Sequence, residues 1–331
     1  MTQNSINTFK FRRFIFILTA CQLISSPVIS YAVSSENAAA NQGNTYTETS
    51  TQKFNHTDFA HWLDAAYIAE ATYKSREEIE PVLKSQGYKL QQFKQLEGFS
   101  VGYMIAVNEE KKQYIIAVRG TSNVDNVIVD AAFVLVPDKL TGIDIHQGFL
   151  LSAKDIYEQV LPELNPEYKI TTIGHSLGGA DALILAMMLD AKGYTIDEVI
   201  TFGQPKVTNI SGSNKYEHLN IKRLVMPKDV VPLVPPADPM DMMNLSIFWH
   251  QGTEIILYDN NRYAVLSGIK SMMRATDFLN DLPSDENLKN HFMTNYINHI
   301  KPKLNGAEEI EYKSNFSFSN WFGSSSTPKK P

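Results

Sequence analysis

The chain has 331 residues, of which 43% are hydrophobic and 20% charged, with a formal net charge of −6. That balance suits one larger globular domain or two small ones, and it excludes a disordered protein, which carries fewer apolar residues and more net charge. The acidic sign leaves no basic excess to displace counterions from phosphates, which excludes a nucleic-acid surface. The single cysteine, Cys21, excludes an internal disulfide framework and a cysteine-built zinc site.

In chain order, residues 1–32 come first. They carry Lys10, Arg12 and Arg13 and no acidic residue, then an apolar run from Phe14 to Ile29 interrupted at Pro27, and they close on Ser30-Tyr31-Ala32. A basic start, an apolar middle and small residues at the third-last and last positions make a secretory signal peptide cut after Ala32, so the favoured reading is an exported protein. Two alternatives stay open. Leu18-Thr19-Ala20-Cys21 resembles a bacterial lipobox, which would leave a lipoprotein anchored through Cys21, although the apolar run continues past it. An uncleaved anchor is weakened by Gln22, Pro27 and the serines, because a spanning helix needs about 20 predominantly apolar residues.

Residues 33–55, dominated by Ser, Thr, Asn, Gln and Glu, read as a flexible polar leader. Residues 56–305 contain no internal repeat and read as one domain. Residues 306–331 read as a polar, disordered tail, with Phe316, Phe318, Trp321 and Phe322 taken as loosely packed rather than as a membrane or partner contact.

Within the domain, short apolar runs alternate with helical patterns. Residues 114–118, 170–173, 199–202 and 221–225 are predicted as buried strands. Helices are predicted at about 57–73, 149–163 and 179–192, the last with Gly193 as its C-terminal cap. This alternation predicts an α/β fold with a mostly parallel central sheet flanked by helices. Such a sheet places its functional site at the carboxyl ends of the strands.

One of those ends reads Ile173-Gly174-His175-Ser176-Leu177-Gly178-Gly179. Gly-x-Ser-x-Gly alone is weak, but here an apolar strand stops immediately before it and a helix starts immediately after. A turn that sharp strains the serine backbone and crowds the positions two residues away, where Gly174 and Gly178 offer no side chain. It lifts the hydroxyl of Ser176 above the sheet and aims the amide of Leu177 at a developing oxyanion. The alternative is a glycine-rich βα turn with a bystander serine.

A serine hydroxyl attacks only after a base has taken its proton, and the base needs an orienting carboxylate. In α/β-hydrolases the chain order is Ser, then Asp or Glu, then His. Asp229 directly follows a predicted strand in a proline-bounded turn, whereas Asp238 and Asp241 read as solvated. Three histidines follow Asp229. His291, at the start of a C-terminal helix, is favoured as base. His299, further along that helix, and His250, in a strand-like run, remain as alternatives.

Together these motifs resemble the class 3 lipase family of fungal-lipase-like α/β-hydrolases, and the leader suggests an exported, bacterial-type member. The likeness rests on the elbow and on Arg119-Gly120-Thr121 at the end of a strand. It rests further on His146-Gln147-Gly148-Phe149, on Thr201-Phe202-Gly203-Gln204-Pro205, on His250-Gln251-Gly252-Thr253-Glu254, and on Asp229 and His291 in order. It covers about residues 56–301.

The resemblance implies an α/β-hydrolase fold and a triad of Ser176, Asp229 and His291. It implies an oxyanion hole from Thr121 and Leu177, with Asp130 supporting the Thr121 hydroxyl. A lid helix would occupy residues 122–131, where Val124, Val127, Ile128 and Ala131 form an apolar stripe; a plain core-facing turn is an equal alternative. Met240, Met242, Met243 and the segment 265–279 would contact acyl chains or simply pack the core. Asp181 departs from the family's apolar position, and a surface or structural role is expected for it.

The implied function is hydrolysis of carboxylic esters of lipids, with a lipid substrate as partner, no nucleic acid, and no metal or cofactor. A phospholipase A1 or acyltransferase with the same residues is the nearest alternative, and a non-catalytic hydrolase-like binding or effector protein a more distant one.

Overall fold

Alternating apolar runs and helical stretches pack by covering both faces of a sheet with helices. The computed structural model describes residues 53–95, 101–121, 134–235, 247–274 and 289–313. The expected export signal, Cys21 and most of the expected polar leader therefore lie outside the described residues. So do Val124, Val127, Ile128, Asp130 and Ala131 of the expected lid, Asp238, Met240, Asp241, Met242 and Met243, residues 275–279, and the tail from 314 on.

The chain opens with α1 (His56–Ala71), whose start is written in the sequence. The Asn55 side chain accepts from the amides of Thr57 and Asp58, and the Asp58 carboxylate accepts from the Asn55 amide, which closes a capping box. α2 (Arg76–Ser85) follows after a short turn. Next come β1 (Lys89–Gln95), β2 (Gly102–Asn108), β3 (Gln113–Val118), β4 (Leu135–Asp138), β5 (Ile143–His146) and α3 (Gln147–Val160). The elbow region comprises β6 (Lys169–His175), α4 (Leu177–Ala191), β7 (Ile196–Phe202), β8 (Thr208–Asn209) and α5 (Ile210–Lys215). The remainder is β9 (Ile221–Val225), β10 (Phe248–Trp249), β11 (Thr253–Leu257), β12 (Arg262–Leu266), α6 (Gly268–Arg274), α7 (Met293–Ile300) and β13 (Glu308–Glu309).

Among the described residues the main sheet has nine strands in the order β1-β2-β3-β6-β7-β9-β11-β12-β13. Its centre, from β3 through β6, β7 and β9 to β11, is parallel, while β1, β2 and β12 join antiparallel. A smaller sheet, β10-β8-β5-β4, is antiparallel. Neighbouring side chains of β7 divide between the two faces, Ile200 packing with α1, α2 and α7 and Val199 with α3 and α4. This is the α/β-hydrolase architecture, with a mostly parallel sheet between helical layers.

The predicted helices at 57–73, 149–163 and 179–192 fall on α1, α3 and α4, and each is one to three residues shorter at its C-terminal end. β1, with the polar sequence Lys-Leu-Gln-Gln-Phe-Lys-Gln, gives no apolar run to read and lies at the sheet edge. The strand-like run 249–258 is two strands in different sheets, broken at Gly252. No helix among the described residues is long and apolar enough to cross a membrane.

Candidate active site

Residues at the carboxyl ends of β3, β6, β7 and β9 converge. At the tip of β6, Ser176 takes φ +60° and ψ −130°, a conformation that costs a non-glycine residue strain, and α4 begins at the next residue. Its amide donates to the Phe202 carbonyl of β7 at 2.9 Å, which pins the turn to the neighbouring strand. A Cβ on Gly174 would strike the Gly178 carbonyl, and one on Gly178 would strike the Val118 carbonyl at the end of β3. The two glycines thus let the turn close on itself and against β3. Leu177 is the first residue of α4, where helix geometry leaves the amide without an intrahelical acceptor.

Asp229 lies in the turn after β9, and His291 just before α7; both are buried. His291 Nδ1 and Asp229 Oδ2 are 2.7 Å apart, so the ring donates to the carboxylate. The same Oδ2 accepts from the Tyr296 hydroxyl at 2.5 Å, and Oδ1 accepts from the Val231 amide at 2.9 Å. Burial works to raise the Asp229 pKa, but His291 and these hydrogen bonds outweigh it and hold the carboxyl below the usual range. Gly203, at the end of β7, has φ +61°, and a Cβ there would lie 2.7 and 2.8 Å from ring atoms of His291 and 2.9 Å from Asp229 Oδ2. Only glycine leaves room for the pair.

The His291 ring lies 4.6 Å from that of His175, the residue before Ser176. Ser176 Oγ and His291 Nε2 are both buried and, among the described residues, without a hydrogen-bond partner, so no hydrogen bond joins them in this state. The strand end Arg119-Gly120-Thr121 sits beside the elbow: a Cβ on Gly120 would come within 3.0 Å of Ser176 Cβ. Thr121 is buried there.

The other histidines go elsewhere. His250 Nε2 donates to the Pro232 carbonyl at 2.6 Å, and His299 faces Asp259 at 3.1 Å on the half-exposed side of α7. Two cations outside every sequence motif act alongside His250. Lys206 Nζ donates to the Leu233 and Pro235 carbonyls at 2.7 and 2.6 Å, and Arg274 donates to the Met226 carbonyl at 2.8 Å. Buried donors therefore hold the turn carrying Asp229 from several sides. Glu254 pairs with Arg274 at 3.0 Å and Arg223 at 3.2 Å beneath it. Burial pushes Lys206 down to about 7, against the pull of Glu254.

Asp181, expected in a surface or structural role, takes the structural one. It is 1% exposed within α4, not at the surface, and receives a 2.6 Å hydrogen bond from Ser152 of α3, while Oδ2 has no partner among the described residues. Burial raises its pKa to about 8. α4 is apolar nearly all round and enclosed, so its first turn has no solvent-facing side on which a carboxylate could sit. Among the described residues no cluster of three or more His, Cys, Asp or Glu side chains is placed to hold a metal ion.

The family model described as Lipase (class 3) matches residues 115–238, from β3 to beyond the Asp229 turn. The chain is 31% identical over 176 residues to a lipase of Rhizomucor miehei, covering 49% of this chain and 47% of that protein. It is 32% identical over 116 residues to the secreted mono- and diacylglycerol lipase 1 of Fusarium solani, covering 33% and 34%. The Rhizomucor miehei lipase propeptide complex superposes with a TM-score of 0.52 at 26% identity, over 61% of this chain and 69% of that one. The chain spans about half the length of the curated relatives it matches. The expected bacterial-type affiliation is corrected by these relatives, which are fungal. That affiliation rests on the leader around Cys21, which lies outside the family match, whereas the elbow and the Asp229 turn lie inside it. The segment that carries the elbow and the Asp229 turn is thus similar to fungal-type class 3 lipases, on an α/β-hydrolase fold.

Proposed function

We propose that the protein is an exported serine hydrolase that cleaves carboxylic esters of lipids through an acyl-enzyme. Ser176 Oγ attacks the ester carbonyl while His291 Nε2 takes its proton, and the Asp229 carboxylate orients the ring and stabilises its imidazolium form. The amides of Leu177 and Thr121 receive the oxyanion, and Asp130 supports the Thr121 hydroxyl. Losing one such donor typically costs about 100- to 1,000-fold in rate. His291 then returns its proton to the leaving alcohol, and water activated by the same ring releases the fatty acid.

The observation that carries this reading is the buried Asp229–His291 pair, 2.7 Å apart, set against the residue that precedes a strained serine at a strand–helix elbow. Similarity to lipases supports a lipid ester as the substrate, and the secretory-type leader together with a relative named as secreted supports export.

The test is labelling of the protein with a fluorophosphonate, with hydrolysis of short- and long-chain esters and a phospholipid measured beside it. Labelling at Ser176 and its loss in Ser176→Ala, together with loss of hydrolysis, is the expected result. An unlabelled wild type, or an alanine variant with full activity, overturns the reading. The panel separates hydrolysis of simple esters from that of phospholipids.

A further inference from the structure

A half-buried tyrosine outside every expected motif joins the two halves of the candidate site. Tyr73 lies in the turn between α1 and α2, where α1, packed across the sheet and against α7, delivers it to the tip of β6. The Gly120 amide donates to the Tyr73 hydroxyl at 3.1 Å, and that hydroxyl lies 2.8 Å from His175 Nδ1. On the far side of the ring, His175 Nε2 lies 2.7 Å from the His291 carbonyl.

A carbonyl only accepts, so the proton of the His175 ring sits on Nε2 and Nδ1 accepts from the Tyr73 hydroxyl. Burial keeps both groups in the required form. It pushes His175 down to about 3, leaving the ring neutral, and it holds Tyr73 well above the ordinary tyrosine range, leaving its proton in place. The result is one directional chain of hydrogen bonds, from the Gly120 amide through Tyr73 and His175 to the backbone of His291. Each member is used once as a donor, and none is left for solvent.

We propose that Tyr73 is a positioning residue, which through His175 sets the Gly120-Thr121 turn and the backbone of His291 relative to each other across Ser176. The inference rests on the reading of Ser176, His291 and Thr121 as hydrolytic machinery. Its physical basis is that one end of the hydrogen-bond chain holds the turn that would supply an oxyanion donor, and the other holds the residue that would take the serine proton. A polar packing role alone would affect stability. A positioning role affects the rate of chemistry, because a misplacement of about 1 Å at reacting groups costs on the order of 100-fold.

The experiment uses the full chain with Tyr73→Phe, His175→Gln and the double variant. It measures kcat and KM on a short-chain p-nitrophenyl ester, fluorophosphonate labelling and thermal melting. Tyr73→Phe keeps the ring and removes one hydroxyl. The expected result is a loss in kcat of about 10- to 100-fold with KM little changed, and slower labelling well below the melting temperature. The double variant is expected to lose little more than the worse single variant, because both break one chain. A Tyr73→Phe enzyme with wild-type kcat and only a lower melting temperature overturns the proposal, as do additive losses in the double variant. If Tyr73→Phe fails to fold, the kcat and KM of His175→Gln decide between the same two outcomes. Failure of the hydrolase reading is visible separately, as a wild type that is not labelled at Ser176.

Discussion

Tyr296 and His291 share one oxygen: the tyrosine hydroxyl donates to the same Oδ2 of Asp229 that accepts from His291 Nδ1, at 2.5 and 2.7 Å. The carboxylate is fully enclosed, so its charge is balanced by these two donors and the Val231 amide rather than by water. Burial keeps Tyr296 far above the ordinary tyrosine range, and it remains a donor throughout the working pH range.

Tyr296→Phe removes one donor from that charge. A hydrogen bond to an ionised group contributes about 1.5–3 kcal/mol, so a loss of that order is expected in urea unfolding at pH 7. The sign with pH follows from the depressed pKa of Asp229. A carboxyl held below its unfolded value contributes stability above that value and loses it as pH falls through the folded one. The gap between Tyr296→Phe and wild type therefore narrows as the solution is acidified below the unfolded carboxyl value of about 4, and a gap that widens there would contradict this account.

Gly203→Ala tests the room kept for the pair. The new methyl meets His291 and Asp229 at less than 3 Å on a backbone with positive φ, so ring and carboxylate must move apart. A kcat loss on the order of 100-fold is expected. Steady-state kinetics on a soluble ester check it, and wild-type kcat in a folded variant would show that the pair tolerates the shift.

Asp181→Asn tests the enclosed acid. Its folded pKa is raised to about 8 by burial, so its stabilising contribution is complete below the unfolded value near 4 and is lost as pH rises through 8. Wild-type protein is expected to melt progressively lower from pH 5 to pH 9. The asparagine variant, which carries no titrating proton there, should decline less. Parallel melting curves across that range would place Asp181 in contact with water.

Lys206→Met tests the support of the Asp229 turn. It leaves the Leu233 and Pro235 carbonyls without their buried donor, each unsatisfied group costing about 1–3 kcal/mol. Lower stability is expected together with a reduced kcat, because the same turn holds Asp229. Loss of stability with unchanged kcat would separate the support from the site.

Several features were legible in the sequence because their causes are local. Apolar runs at β3, β6, β7 and β9 and the helical period of α1, α3 and α4 follow from side-chain spacing along a few residues. The elbow was equally legible, since Gly174 and Gly178 answer crowding within a single turn. The polar edge strand β1 was not, because nothing in its composition distinguishes it from a loop.

What only the tertiary structure decided is which distant groups meet and which are enclosed. Asp229 and His291 are 62 positions apart and Tyr73 and His175 are 102 apart, and no periodicity reports such pairings. Tyr73 reads in sequence as the tail of a predicted helix, yet the chain leaves that helix at Ala71 and turns it into the site. Gly203 is an ordinary motif glycine until His291 is brought against it. Asp181 reads as a surface or structural carboxylate by helix-dipole reasoning, and only the packing of α3 over α4 makes it a buried acid. Local sterics fix the serine's turn; long-range burial, which depends on every element packed against it, sets the charge and position of the groups around that serine.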